Sequence, residues 1–175
     1  VLKLSLPIIV TMTSHTLMQS VDAWMLGQYG RLELAAVGPA GLVYFSFAAA
    51  ILGVMSCNNT FVAQSLGAGR ARECASYTLH AVAVALAAQW IMFPLMLWAP
   101  NLFALLGHAP AVAGREVIYF RVRALQLAGT GMTAALSSFF QATDRPHVPM
   151  FTGIAANVFN IVGDWLLIFG EFGLP

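Results

Sequence analysis

The chain has 175 residues, of which 59% are apolar and only 9% are charged, and its formal net charge is +1. A soluble domain of this size usually has about 25% charged residues. The composition therefore excludes a disordered chain, a coiled coil and a nucleic-acid-binding protein. Two cysteines give neither a disulfide framework nor a metal-binding motif. These exclusions leave an integral protein of the lipid bilayer.

Five long segments lack Asp, Glu, Lys and Arg: 4–21, 34–69, 74–114, 124–143 and 146–163. A membrane-spanning helix needs about 20 mostly apolar residues. Gly38-Pro39 and Pro100-Asn101 are typical breaks inside the two longest segments, and 100–114 has the composition of an interfacial connection. We therefore predict an all-α membrane protein with five transmembrane helices, near residues 4–27, 40–66, 76–99, 118–141 and 148–170.

The ends of the chain predict a fragment of a longer protein. The chain begins without Met inside the first predicted helix and ends directly after the fifth. Five spans would leave the two ends on opposite sides of the membrane. The distribution of Lys and Arg slightly favours a cytoplasmic N-terminus.

Two carboxylates, Asp22 and Asp164, lie at membrane depth in this arrangement. Ionisable groups there cost about 2.5–3.5 kcal/mol on insertion scales and are usually functional. Asp22 lies near the end of the first predicted helix and Asp164 near the end of the fifth, and these two helices run in the same direction. Tyr119 lies near the start of the antiparallel fourth helix. We expect all three residues in one layer, in the outer half of the membrane.

Each acid belongs to a polar stripe on one helix face. The first stripe is His15, Gln19 and Asp22, and the second is Asn157, Asn160 and Asp164. Their offsets of 0, 4, 7 and 0, 3, 7 match helical periodicity, so we predict the walls of one wet cavity. Other interpretations stay open: acids wetted by headgroups at helix ends, asparagines that bond across helices, and a histidine that only donates a hydrogen bond.

Two further features concern the helices themselves. Pro7 predicts either a kink point in the first helix or a proline in its first turn. The contiguous belt Ser56-Cys57-Asn58-Asn59-Thr60 covers every face of the second helix. Part of this belt must therefore pack against other helices.

Short motifs along the whole chain resemble one family of transporters. They are Leu4-Ser5-Leu6-Pro7-Ile8, Val21-Asp22, Gly27-Gln28-Tyr29-Gly30, Leu34-Ala35-Ala36-Val37-Gly38, Gln64-Ser65-Leu66-Gly67-Ala68-Gly69, Val117-Ile118-Tyr119-Phe120-Arg121, Ala142-Thr143-Asp144-Arg145-Pro146 with Pro149-Met150, and Asn160-Ile161-Val162-Gly163-Asp164 with Ile168-Phe169-Gly170. In order and spacing, these motifs resemble the N-terminal part of a multidrug and toxic compound extrusion (MATE) transporter.

The resemblance implies a twelve-helix, two-lobe exporter in a plasma (inner) membrane of bacterial type. Such a protein exchanges H⁺ or Na⁺ for small organic compounds, often cationic or amphipathic, and needs no cofactor beyond the coupling ion. This chain would be the first five helices of the six-helix N-terminal lobe. Its partners would be its own missing sixth helix and second lobe, without which it should not transport.

The resemblance also implies residue roles. Asp22, Asn160 and Asp164 match the cation-coupling site of the N-terminal lobe, where Na⁺ would also bind. Tyr119 matches the family's fourth-helix tyrosine, and Pro7 its first-helix bend. His15, Gln19 and Asn157 would line the cavity beside them. His15 and Gln28 depart from the family pattern, and a second titratable group at His15 favours proton coupling.

Three other classes of function compete with the transporter interpretation. A lipid-linked oligosaccharide flippase of the same superfamily should carry several Arg or Lys in its cavity, whereas the predicted mid-membrane charges are acidic. A non-transporting membrane subunit is a further alternative. An intramembrane enzyme is disfavoured because the sequence has no H-E-x-x-H or G-x-S-x-G motif.

Overall fold

A computed structural model describes the backbone of residues 2–168 and the side chains of residues 5–28 and 30–167. Every regular element in this range is an α-helix, which confirms the predicted fold class. The six described helices are α1 (Leu2–Tyr29), α2 (Arg31–Gly67), α3 (Ala71–Ala104), α4 (Pro110–Leu125), α5 (Leu127–Ala142) and α6 (His147–Ile168). Among them, α2, α3 and α6 are long and apolar enough to cross a membrane individually. The predicted helix end at residue 170 lies outside the described residues, as does most of the motif Ile168-Phe169-Gly170.

The predicted break at Gly38-Pro39 is wrong, because α2 begins at Arg31 and continues through Pro39. Proline removes one backbone hydrogen bond from a helix, and its ring crowds the carbonyl four residues earlier, but neighbouring helices can compensate for this in a membrane protein. Ala36 and Ala40 on either side are almost completely buried. Small residues let neighbouring helices approach closely, and this packing supports the helix across the proline. In the same way α3 passes both Pro94 and Pro100 and ends at Ala104, so its predicted end at residue 99 is also wrong.

The predicted helix 118–141 is two helices, α4 and α5, separated by Gln126. The side chain of Gln89 on α3 lies against this break. Its Nε2 donates to the Ala124 carbonyl at 3.1 Å, and its Oε1 accepts from the Ala128 N–H at 3.1 Å. Backbone groups in a membrane must be satisfied within the protein, so Gln89 stabilises the break. The predicted connection 100–114 shortens to residues 105–109, where Gly107 takes a positive φ of 69°.

The described residues form two compact units, which we treat separately. The first consists of the residues up to 34 and those from 144 onward, and the second of residues 35–143. In the first unit, α1 packs against α6. In the second unit, α3 packs against α4 and α5, around a core that contains Phe103, Phe120 and several alanines. The rings of Phe103 and Phe120 meet edge to face at 5.7 Å.

Polar contacts also join helices of the second unit. Asn58 of α2 is buried, and its Nδ2 lies 3.4 Å from Thr78 Oγ1, 3.0 Å from the Ala135 carbonyl and 3.2 Å from Ser138 Oγ. Asn59 Nδ2 also donates to the Ser138 carbonyl. The prediction that part of the polar belt packs against other helices is confirmed for these two asparagines.

Candidate functional site

The candidate site lies in the first unit, where α1 and α6 carry the two polar stripes. Asn157 Nδ2 donates a hydrogen bond of 2.6 Å to Ser14 Oγ. One turn earlier, a β-carbon at Gly153 would lie 3.8 Å from Thr11 Cγ2. Residue numbers therefore rise together along both helices at their contact, which means that α1 and α6 run parallel.

This register sets the heights of the two acids. Asp22 lies 22 − 14 = 8 residues beyond Ser14, and Asp164 lies 164 − 157 = 7 residues beyond Asn157. At about 1.5 Å per residue, these separations are about 12 Å and about 10.5 Å along the helix axes. The two carboxylates are consequently at nearly the same height above the Ser14–Asn157 bond.

The three residues matched to the coupling site are half-buried. Asn160 Oδ1 is shielded from solvent and has no hydrogen-bond partner among the described residues. One oxygen of Asp22 is also shielded. A buried amide oxygen that accepts no bond is a ready ligand for a cation or a water molecule. Carboxylate and amide oxygens are suitable ligands for hard cations, and a carboxylate can also bind a proton.

The remaining stripe residues have different surroundings. His15 and Gln19 are exposed on α1, with His15 Nδ1 and Gln19 Nε2 3.4 Å apart. Asn157 is half-buried and hydrogen-bonded to Ser14. It therefore joins two helices in addition to being part of the polar stripe on α6. That contact is the helix-bridging role that remained open for the asparagines.

Two other predicted residues are not members of these stripes. Tyr119 belongs to the second unit, where it is half-buried on α4 against the apolar core. Pro7 lies inside α1 beyond its first turn, and the Thr11 hydroxyl donates to the Pro7 carbonyl at 2.8 Å. The interpretation of Pro7 as a first-turn proline is wrong, because α1 already begins at Leu2.

The structure adds polar residues that the sequence did not single out. Glu116 on α4 is fully buried, and its Oε1 lies 2.7 Å from His108 Nδ1. The Arg123 guanidinium lies 5.0 Å from the centre of the Tyr44 ring, over its face. Both contacts depend on how the connection 105–109 positions α4. The sequence predicts a connection in this region, but not which residues it brings together.

Comparison of the sequence with known proteins identifies one family. A sequence model of the MatE family matches residues 7–166. Probable multidrug resistance proteins NorM from Bradyrhizobium diazoefficiens and Deinococcus radiodurans are each 30% identical to this chain over 174 and 176 residues. Both alignments cover 99% of this chain but only 37% and 39% of the relatives. The chain thus spans under two-fifths of their length.

A solved structure also matches. It is a MOP superfamily transporter from Pyrococcus furiosus, which superposes with a TM-score of 0.90 at 21% identity. The superposition covers 98% of this chain and 38% of that one. The two chains therefore share a fold over nearly the whole of the shorter chain.

Proposed function

Since this chain belongs to the MatE family, we propose that it forms part of the N-terminal lobe of an exporter that exchanges H⁺ or Na⁺ for small organic compounds. The chain is an integral membrane protein, and we place it in a plasma membrane of bacterial type. Its substrates are several small organic compounds, as the name multidrug resistance protein suggests for the relatives. The resemblance to the family implies that they are cationic or amphipathic. Transport requires a sixth helix and a second lobe, because antiport depends on two alternating states.

The parallel contact of α1 and α6 through Ser14 and Asn157 is the observation that carries the proposal. It supports one site that contains Asp22 and Asp164 at similar height, with Asn160 about one helical turn below Asp164 on α6. Carboxylates at membrane depth need a compensating positive charge. A proton, a sodium ion held by carboxylate and amide oxygens, or a cationic substrate could each supply that charge.

These alternatives exclude one another, and their competition produces exchange. When the coupling ion occupies the carboxylates, the negative charge that attracts a cationic substrate is neutralised. When the ion leaves, the substrate can bind. Because binding alone moves nothing, the two occupied forms must favour different states of the whole transporter. In this scheme His15, Gln19 and Asn157 line the approach to the acids and Pro7 provides a bend in α1, while the role of Tyr119 as a cavity residue stays a prediction.

The test is ion-driven efflux of a cationic dye from sealed vesicles that contain the full-length transporter. Asp22→Asn and Asp164→Asn should each abolish efflux while the protein still inserts, because removal of a charge at membrane depth eases insertion. Asp144→Asn is the matched control, since Asp144 is exposed in the loop before α6 with a positive φ of 61° that asparagine also tolerates. Efflux that persists in both of the first two variants would overturn the shared site.

A further inference from the structure

A groove of about 280 Å³ lies in the second unit between α2, α3 and the beginning of α5. Its walls are almost entirely apolar and include Phe47, Ala50, Ile51, Ile91, Leu95 and Leu127. The lining residue Ser46 uses its hydroxyl within α2, where it donates to the Leu42 carbonyl. Ile91 is 77% exposed and Phe47 is 42% exposed, so the groove is open along one side.

Two arginines of α4 contact residues that follow or precede the groove residues along α2 and α3, at one end of the groove. Arg123 stacks on Tyr44, which is one helical turn from Phe47. Arg121 Nε donates to the Met96 carbonyl at 3.0 Å, and Met96 follows Leu95 directly. Each guanidinium therefore contacts a residue that is itself within one helical turn, about 5.4 Å along its helix, of a groove residue.

These arginines keep hydrogen-bond donors for a ligand. Arg121 is exposed, and its bond to Met96 uses Nε alone. Arg123 Nε is shielded from solvent and has no hydrogen-bond partner among the described residues. The nearby acid of α4, Glu116, is already engaged by His108. This end of the groove is thus a cationic site with unused donors.

The position along the helices corresponds to the membrane interface. Trp98, which is 48% exposed, lies two residues beyond Met96 on α3, and Pro100 and Asn101 follow it. Exposed tryptophans concentrate at the level of the lipid headgroups. Trp98 favours headgroup level for the arginines, whereas the more exposed Trp90 lies deeper, beside the groove residue Ile91. With the arginines at headgroup level, the apolar groove runs from them toward the middle of the membrane.

We propose that this groove binds an acyl chain of an anionic phospholipid whose phosphate is held by Arg121 and Arg123. An apolar groove with a cationic end at the interface is complementary to a molecule with an anionic head and a long apolar tail. A cationic organic compound would be repelled by the two arginines, and a free phosphate would leave the groove unfilled. This lipid site is formed by residues of the second unit alone, and the proposal does not depend on the role of the carboxylates of the first unit.

The first experiment measures lipid affinity by native mass spectrometry of the purified full-length protein in a neutral detergent. Phosphatidylglycerol should bind more tightly than phosphatidylcholine with identical acyl chains. The double variant Arg121→Gln/Arg123→Gln should lose about 25-fold in phosphatidylglycerol affinity, from about fivefold per arginine near the membrane surface. Arg121→Lys/Arg123→Lys should keep most of the preference because the charges remain. Arg72→Gln, an exposed arginine at the other end of α3, is the control.

The second experiment tests whether the groove binds the acyl chain of the lipid. Ala50→Phe places a ring in the groove and should lower the affinity for both lipids by the same factor. Ala63→Phe, on an exposed part of α2, should leave both affinities unchanged. Thermal unfolding of each variant shows whether it is folded. Three outcomes would overturn the proposal: an unchanged lipid preference in the folded glutamine variant, lipid binding that is indifferent to Ala50→Phe, or displacement of phosphatidylglycerol by equimolar inorganic phosphate, which would indicate a site for soluble anions.

Discussion

Ser14 and Asn157 are 143 residues apart in the sequence, yet they share a hydrogen bond of 2.6 Å. The bond joins α1 to α6 and fixes their register. Because both helices run in the same direction at this contact, each following polar residue of one helix lies beside a counterpart of similar height on the other. The bond is thus the structural basis for considering Asp22 and Asp164 as members of one site.

Loss of this bond should disturb both stability and transport. We expect Asn157→Ala to lower the free energy of unfolding by about 0.6 kcal/mol, the average for hydrogen bonds between membrane helices. Efflux should fall more than this loss predicts, because the register between the stripes also changes. Thr152→Ala is the control on the same helix, since the Thr152 hydroxyl bonds only to α6 carbonyls. Unfolding in mixed micelles and vesicle efflux are the measurements, and an unchanged result in both would contradict the role of the bond.

Much of the candidate site could be predicted from helical periodicity. The offsets that join Asn157, Asn160 and Asp164 are properties of a single helix, so they can be read without a fold. The parallel direction of the first and last spans follows from their odd numbers. The partner of Asn157 could not be predicted, because Ser14 lies outside the predicted stripe and only packing of the two helices brings it close.

The errors in the helix boundaries have the same origin. Pro39 and Pro100 are local signals for a break, but packing overrides both, and α2 and α3 continue. Conversely, no local signal announces the break at Gln126. It is stabilised by Gln89, whose side chain bonds to backbone groups 35 and 39 residues away. The sequence around Gln126 therefore does not indicate that Gln89 stabilises this break.

Gly131 should be intolerant of any side chain. A β-carbon there would lie 2.8 Å from the Ala85 Cβ, too close for either helix to remain in place. We expect Gly131→Ala to destabilise the protein by about 1–3 kcal/mol through overpacking. Gly129→Ala on the same helix meets nothing within 4 Å, and it should stabilise by about 0.5–1 kcal/mol because alanine favours helix. Thermal unfolding should show a lower midpoint temperature than the parent protein for Gly131→Ala and a higher one for Gly129→Ala.

A second substitution identifies the cause. Ala85→Gly removes the atom that a side chain at Gly131 would meet, so the double variant should recover most of the stability lost in Gly131→Ala. The coupling energy of this double-mutant cycle measures the contact. If the two effects simply add, the contact between α3 and α5 is not responsible.

Asn58 should hold α2, α3 and α5 together. Asn58→Leu removes the amide that contacts Thr78, Ala135 and Ser138, and we expect a loss of about 1–2 kcal/mol, near the largest values for single polar contacts in membrane bundles. Thr60→Val changes an exposed residue of the same belt and should have little effect. Equal unfolding free energies of the two variants would show that the buried network adds no stability.

His15 should distinguish proton coupling from sodium coupling. It lies 22 − 15 = 7 residues before Asp22 on α1, about 10 Å along the axis. That distance is too long for a direct bond, but Gln19 lies between them, with its Nε2 3.4 Å from His15 Nδ1. Imidazole is the side-chain group that ordinarily changes charge near neutral pH. A sodium site built from Asp22, Asn160 and Asp164 would need only oxygen ligands.

We expect efflux in sealed vesicles to follow an imposed pH gradient without Na⁺, and His15→Gln to shift the pH optimum of efflux, because the substitution removes a titratable group from the approach to Asp22. His80→Gln is the control: His80 is also an exposed helical histidine, and its ring bonds to the Ser76 carbonyl of its own helix. It should leave the optimum unchanged. If efflux instead requires a Na⁺ gradient and is indifferent to His15→Gln, the carboxylates couple to sodium and His15 has no part in ion transfer.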